Sequence, residues 1–121
     1  MIIDIGSGHK PHNHASILLE YRKAGDEHRW NRKLKIDRPT IIYYGYKMPF
    51  KDKVFSFSMC RHVLEHVDSP RRFLNEIQRI SNAGYIETPS EISELIFTPY
   101  EEHKWVIYLD DADGLCLKKS Y

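Results

Sequence analysis

Apolar residues along this chain fall in short β-branched runs, each closed by a glycine, an acid or a proline. Met1 to Ile5 (MIIDI) stops at Gly6, Ile17 to Leu19 stops at Glu20, and Thr40 to Tyr44 (TIIYY) follows Pro39. Runs this short, and this rich in Ile, Leu and Tyr, predict buried strands of a parallel sheet. Val54 to Cys60 (VFSFSMC) sets Phe55, Phe57 and Met59 against Ser56 and Ser58, the two-residue period of a fourth strand. The period then changes. Phe73, Leu74, Ile77 and Ile80 recur at helical spacing, so a helix is expected from Ser69-Pro70, with Ser69 as cap and Pro70 at its first position, to about Ser81. Asn82-Ala83-Gly84 is expected to end it, Gly84 serving as a left-handed cap. Tyr85 to Glu87 predicts a short strand, Ser90 to Phe97 a short helix, and Lys104 to Leu109 with Leu115 to Lys118 a hairpin around the turn-forming DDADG at 110–114.

Strands alternating with helices and finishing in a hairpin predict an α/β fold: a Rossmann-like, mainly parallel sheet with an antiparallel edge hairpin, three layers and reduced helices. Reduction is expected because only eleven residues, Gly6 to Ser16, separate the first two strands, room for little more than one helical turn. Tyr21 to Pro39 is polar and aperiodic and is expected to be a partly ordered loop. At 121 residues the chain is expected to be one domain, 1–121. No internal repeat is visible.

Composition narrows the function classes. No apolar stretch approaches the roughly 20 residues of a membrane helix, which predicts a soluble protein with no membrane partner. A net charge of +1 disfavours a nucleic-acid partner, and the clusters Arg29, Arg32, Lys33, Lys35 and Arg71, Arg72 are read as solvated surface. The two cysteines, Cys60 and Cys116, have no CxxC spacing and no signal peptide precedes them, so a reducing, cytoplasmic setting is expected. His9, His12 and His14 lie close together without acidic or cysteine ligands beside them, and no metal is expected.

In open α/β sheets ligands bind beyond the carboxyl ends of the strands, which directs attention to Asp4 to Gly8, Glu20, Tyr44 and Cys60 to His66. Gly6 and Gly8 let the backbone turn sharply and approach a ligand closely, and Glu20 is the type of residue that accepts hydrogen bonds from ribose hydroxyls. Together they indicate a nucleoside. A dinucleotide binder would need a third glycine at position 11, where Pro11 stands, and a helix facing the pyrophosphate, so a cofactor without phosphates is favoured. Taken alone, Gly-x-Gly reads equally well as a tight turn after a strand.

Asp4-Ile5-Gly6-Ser7-Gly8, Met48-Pro49-Phe50-Lys51-Asp52, His62-Val63-Leu64-Glu65-His66-Val67 and Gly84-Tyr85-Ile86-Glu87-Thr88-Pro89, in this order, give the chain its resemblance to class I S-adenosylmethionine-dependent methyltransferases. The branch it looks most like is the small type 11 methyltransferase domain. The resemblance implies S-adenosyl-L-methionine as cofactor, with Gly6, Ser7 and Gly8 lining its methionine part, Asp4 supporting the loop and Glu20 holding the ribose. It places Cys60, Arg61 and His62 beside the adenine and the transferred methyl, with His62 the candidate general base and Tyr100 and His103 lesser candidates. Leu64 and Val67 are read as packing, Glu65 and His66 as structural hydrogen-bonders. Three departures stand out. Tyr44 replaces the acid that receives the adenine amino group, a loss worth about 1.5 to 3 kcal/mol, or roughly tenfold or more in affinity. Ser56 replaces an acid at the start of the fourth strand, and the sequence begins directly at the first strand, without the N-terminal helices that close over the cofactor. The activity implied is methylation of a small molecule or pendant group, the alternative being a degenerate, non-catalytic binding or assembly module of the same fold. With little protein above the sheet, a homodimer covering the cofactor is expected.

Overall fold

The first three strands form where short apolar runs of Ile, Leu and Tyr stand, and the fourth where Phe and Met alternate with serine. The computed structural model describes residues 1–21, 35–43, 45–90, 103–112 and 114–119. Five strands, β1 (Ile2–Ile5), β2 (Ile17–Tyr21), β3 (Thr40–Tyr43), β4 (Phe55–Arg61) and β5 (Ser81–Glu87), form one sheet in the order β3-β2-β1-β4-β5. Every pairing within it is parallel. This is a reduced Rossmann-like α/β fold, and the winding reverses at β1, so the topological switch point falls at the carboxyl ends of β1 and β4.

Register assigns the faces. Ile3 lies between Ile17 and Ser58, and Ile5 between Leu19 and Cys60, so these side chains share one face. Helix α1 (Pro70–Ile80) covers that face with Phe73, Ile77 and Ile80, and Leu64 and Ile107 complete the buried cluster. By alternation Asp4, Leu18, Glu20 and Arg61 belong to the opposite face. The core therefore sits under one side of the sheet, and the acids of the candidate site are on the other.

No helix joins β1 to β2; turns alone span residues 6–16. Pro70 opens α1 as expected, but Ser69 makes no side-chain cap, and its backbone N–H donates instead to the Tyr46 hydroxyl at 2.6 Å. The expected stop at Asn82-Ala83-Gly84 is corrected. Helix α1 ends at Ile80 and β5 begins at the next residue, whose N–H still reaches the Ile77 carbonyl. Gly84 is a strand residue opposite Ser58, where a Cβ would stand 2.6 Å from Ser58 Oγ. Close approach of two strands, not a left-handed cap, accounts for this glycine.

The hairpin of β6 (Trp105–Leu109) and β7 (Leu115–Lys119) pairs antiparallel as its own two-stranded sheet and does not extend the parallel one. Its inward side chains explain this position: Ile107 is buried in the core, and Trp105 and Leu117 pack against it. Three contacts tie its start to the turn after β4: Lys104 N–H to the Glu65 carbonyl at 2.7 Å, Trp105 Nε1 to the Val67 carbonyl at 3.0 Å, and an ion pair of the Lys104 ammonium with Asp68 Oδ1. The helix expected over 90–97 lies, from residue 91 onward, outside the described residues, as do 22–34 of the expected loop with Arg29, Arg32 and Lys33. Among the described residues no helix is long and apolar enough to cross a membrane.

Candidate functional site

The chain leaves β1 through two left-handed residues, Gly6 at φ +68° and Gly8 at φ +61°, a region that only glycine enters without strain. Gly6 N–H donates to the Leu19 carbonyl at 2.8 Å, so the turn folds back over the end of β2. There is no room for a side chain at Gly6, because a Cβ would lie 2.4 Å from Val63 Cγ2, whereas the space at Gly8 is open. The Glu20 carboxylate, at the tip of β2, faces this turn. Its Oε1 accepts from Ser7 Oγ at 2.9 Å and from Gly8 N–H at 2.9 Å. Glu20 is 3% exposed, so the acid and the turn are locked together.

Asp4 anchors the same loop from beneath. It is completely buried; Oδ2 accepts from His12 N–H at 2.8 Å and lies 3.5 Å from Arg61 Nη2, while Oδ1 has no hydrogen-bond partner among the described residues. Arg61 also donates to the Lys10 carbonyl at 2.9 Å, and Arg38 Nη1 donates to the carbonyls of His12 at 2.6 Å and Ala15 at 2.8 Å. The hydrogen bonds of Asp4, Arg38 and Arg61 thus replace a crossover helix in fixing residues 9–16. The hydrogen bonds and two-point ion pair with Arg38 lower the pKa of Asp37, which is exposed. Between loop 9–14, Lys35 and Arg61 lies an open, basic groove of about 420 Å³.

At the end of β4 the three residues expected beside the cofactor diverge. Cys60 points into the core, where burial pushes its thiol pKa far up, followed by the nearby Glu65 and Asp4 charges, so only its backbone faces the cleft. Arg61 belongs to the Asp4 cluster on the opposite face. His62 alone turns outward, at the left-handed φ of +57°, an uncommon conformation for a residue with a Cβ. Its N–H donates to the Glu87 carbonyl at 2.7 Å, and its Nε2 lies 2.8 Å from Glu87 Oε2. Its Nδ1 lies 3.9 Å from Glu65 Oε1. Leu64 is fully buried and Val67 packs on the core, while Glu65 is 1% exposed beside His66. Tyr44 and Tyr100 lie outside the described residues. Ser56 stands at the far end of β4, where its hydroxyl meets the Met1 amine and carbonyl.

Two constellations were not visible in the sequence. Glu87 as the partner of His62 depends on the parallel register of β4 and β5, which sets Arg61 opposite Glu87. The second is an arginine clamp on the segment 48–53. Arg79 donates to Glu76 through Nε and Nη2 at 2.7 and 2.8 Å, to Asp52 at 2.9 Å, and to the carbonyls of Phe50 and Met48 at 2.7 and 2.9 Å. Glu76 Oε2 in turn accepts from Met48 N–H at 2.7 Å. These hydrogen bonds with Arg79 hold the Glu76 carboxyl below its usual range and push the Arg79 pKa up. The helical spacing of Glu76 and Arg79 was the available signal; their main-chain acceptors, some thirty residues away, left none.

Strand order, the left-handed glycine turn and the acid at the tip of β2 define a reduced Rossmann-like domain with its open end at the switch point. The family model described as a methyltransferase domain matches residues 22–86, just over half of the chain, and the chain belongs to that family of class I S-adenosylmethionine-dependent methyltransferase domains. Gly6, Gly8 and Glu20 lie before the matched span, the two glycines in the turn after β1 and Glu20 near the end of β2. No curated protein and no solved structure matches the chain.

Proposed function

We propose that this domain binds S-adenosyl-L-methionine at the turn of Gly6, Ser7 and Gly8 and transfers its methyl group to a small molecule or a pendant group. The observation that carries the reading is the convergence of the Glu20 carboxylate on the glycine turn, with both hydrogen bonds at 2.9 Å. The residues fit a nucleoside. The Glu20 carboxylate is an acceptor of the kind ribose hydroxyls donate to, and it is held at the glycine turn by Ser7 Oγ and Gly8 N–H. Open space at Gly8 admits a close approach of the cofactor, and Asp4 keeps the loop in place from below.

When bound, the cofactor supplies a methyl carbon already activated by a sulfonium. The chain's task is alignment and exclusion of water. His62 stands at the switch point with Nε2 oriented by Glu87 and Nδ1 3.9 Å from Glu65 Oε1, and its exposed imidazole is the proposed group to take a proton from a hydroxyl or amine acceptor. Cys60 contributes main chain and core packing, and Arg61 supports the loop through Lys10 and Asp4. A second copy of the chain is the proposed cover for the open end. Exposed apolar side chains on both edge strands, Ile41 and Ile42 on β3 and Tyr85 and Ile86 on β5, support such pairing.

One observation favours the alternative of a non-catalytic module: Glu20 is nearly sealed, so ribose hydroxyls must displace or share the Ser7 contact. A screen of hydroxyl, amine, thiol and carbon acceptors with methyl-labelled S-adenosylmethionine separates the two. Label transferred to one acceptor class by the wild type, and lost in Glu20→Ala, supports the enzyme. Cofactor binding without any transfer supports the module.

A further inference from the structure

Glu65 occupies an unusual position for a carboxylate, 1% exposed under the turn that follows β4. Burying an anion is costly unless positive charge stands close to it. Imidazoles gather around this one. His66 Nε2 lies 3.5 Å and His62 Nδ1 3.9 Å from Glu65 Oε1. His103 arrives from a segment 37 positions along the chain and stacks edge-on against His66, ring centroids 4.7 Å apart. Its backbone is held there because the next residue, Lys104, donates its N–H to the Glu65 carbonyl at 2.7 Å. Among the described residues, Glu65, His66 and His103 bring one ligand atom each to within 4.8 Å of one another.

We propose that Glu65, His66 and His103 form a zinc-class divalent metal site that clips the β6–β7 hairpin to the end of β4. Four ligands in tetrahedral array at about 2.0–2.1 Å from zinc are separated by about 3.3–3.5 Å. The Glu65 to His66 distance of 3.5 Å already meets this requirement. His103, half-buried, needs a side-chain adjustment on the order of 1 Å to close the remainder of the 4.8 Å spread. Two imidazoles and one carboxylate select a borderline cation such as zinc over magnesium or calcium, which take oxygen ligands. Three protein ligands leave one position for water, as in open zinc sites. Among the described residues the hairpin makes no strand pairing with the parallel sheet, so a metal joining 65–66 to 103 would add to the Lys104 N–H bond at 2.7 Å, the Trp105 side-chain bond at 3.0 Å and the Lys104–Asp68 ion pair.

The site is independent of the cofactor reading and is tested without it. Untagged protein, stripped with chelator, is titrated with zinc by calorimetry and with cobalt by visible spectroscopy, alongside His66→Ala, His103→Ala and a His9→Ala/His14→Ala control. The expected result is one metal per chain, the ligand-field absorption of a four- or five-coordinate cobalt site, and a zinc-dependent rise in the thermal midpoint. His66→Ala and His103→Ala each weaken zinc by more than about 100-fold, the upper range for loss of a mere outer-sphere partner, and the control does not. His103 is half-buried, so its truncation leaves the core filled and keeps the comparison on folded protein. The proposal is overturned if wild type binds no tighter than the His66→Ala/His103→Ala double variant, or if binding disappears only in the control.

Discussion

Replacing Gly6 by alanine tests the turn on which the candidate site is built, and the structure fixes the size of the effect. The new Cβ meets two obstacles. It holds a left-handed φ of +68°, which costs an L-residue about 1–2 kcal/mol, and it stands 2.4 Å from Val63 Cγ2, an overpacking that adds about 1–3 kcal/mol. The total is about 2–5 kcal/mol. At about 2.1 cal/mol/K per residue, the 121 residues give an unfolding entropy of about 0.25 kcal/mol/K, so the thermal midpoint falls by about 8–20 °C. Gly8 supplies the internal control, since it shares the left-handed φ at +61° but has nothing within 4 Å of a Cβ. Gly8→Ala is expected to lose only about 4–8 °C. Calorimetric melts of both variants, of Val63→Ala, and of Gly6→Ala combined with Val63→Ala, complete the cycle; relative to Val63→Ala, the double variant recovers the steric part and not the backbone part. Equal losses for Gly6→Ala and Gly8→Ala would refute the claim that Val63 closes over the turn.

Removing the arginine clamp with Arg79→Ala is expected to cost about 1–3 kcal/mol in denaturant melts, because Glu76 keeps its place while its charged partner is lost. The folded Glu76 carboxyl titrates below its unfolded value, so its contribution is present above about pH 4.3 and is lost as pH falls through the lower folded pKa; Arg79→Ala flattens that acid limb, and an unchanged limb contradicts the assignment. Cys60 is buried with its thiol pKa raised, whereas Cys116 is half-buried, so mass spectrometry after alkylation at neutral pH should find one modified thiol in native protein and two in denaturant. Light scattering is expected to give the mass of two chains, and a monomeric mass rejects the proposed cover by a second copy.

Much of the sheet was legible because β1 to β3 are short apolar runs with clear stops and β4 alternates aromatic or Met side chains with serine. Strands β1 to β4 need no information beyond local pattern, of β5 only Tyr85 to Glu87 was legible, and the acid after Leu19 has to emerge at the end where Gly6 turns. What escaped the sequence depends on partners distant in the chain. Gly84 looks like a helix stop until Ser58 is seen opposite it. The β6–β7 hairpin reads as an edge, yet the burial of Ile107 draws it onto the core. Cys60 is the clearest case at the site: it lies near the end of β4, where alternation turns its thiol inward, leaving His62 as the outward residue of the three. The burial of Glu65 was equally hidden, since it rests on His66 and on a segment beginning at His103.

The most direct test of the whole account is calorimetric titration of the wild type and Glu20→Gln with S-adenosylhomocysteine. Binding at one site per chain, weakened about tenfold or more when Glu20 loses its charge, is the predicted result. No heat from the wild type at about 1 mM ligand, or equal affinities for the two proteins, would contradict the claim that the glycine turn and the acid of β2 together hold a nucleoside.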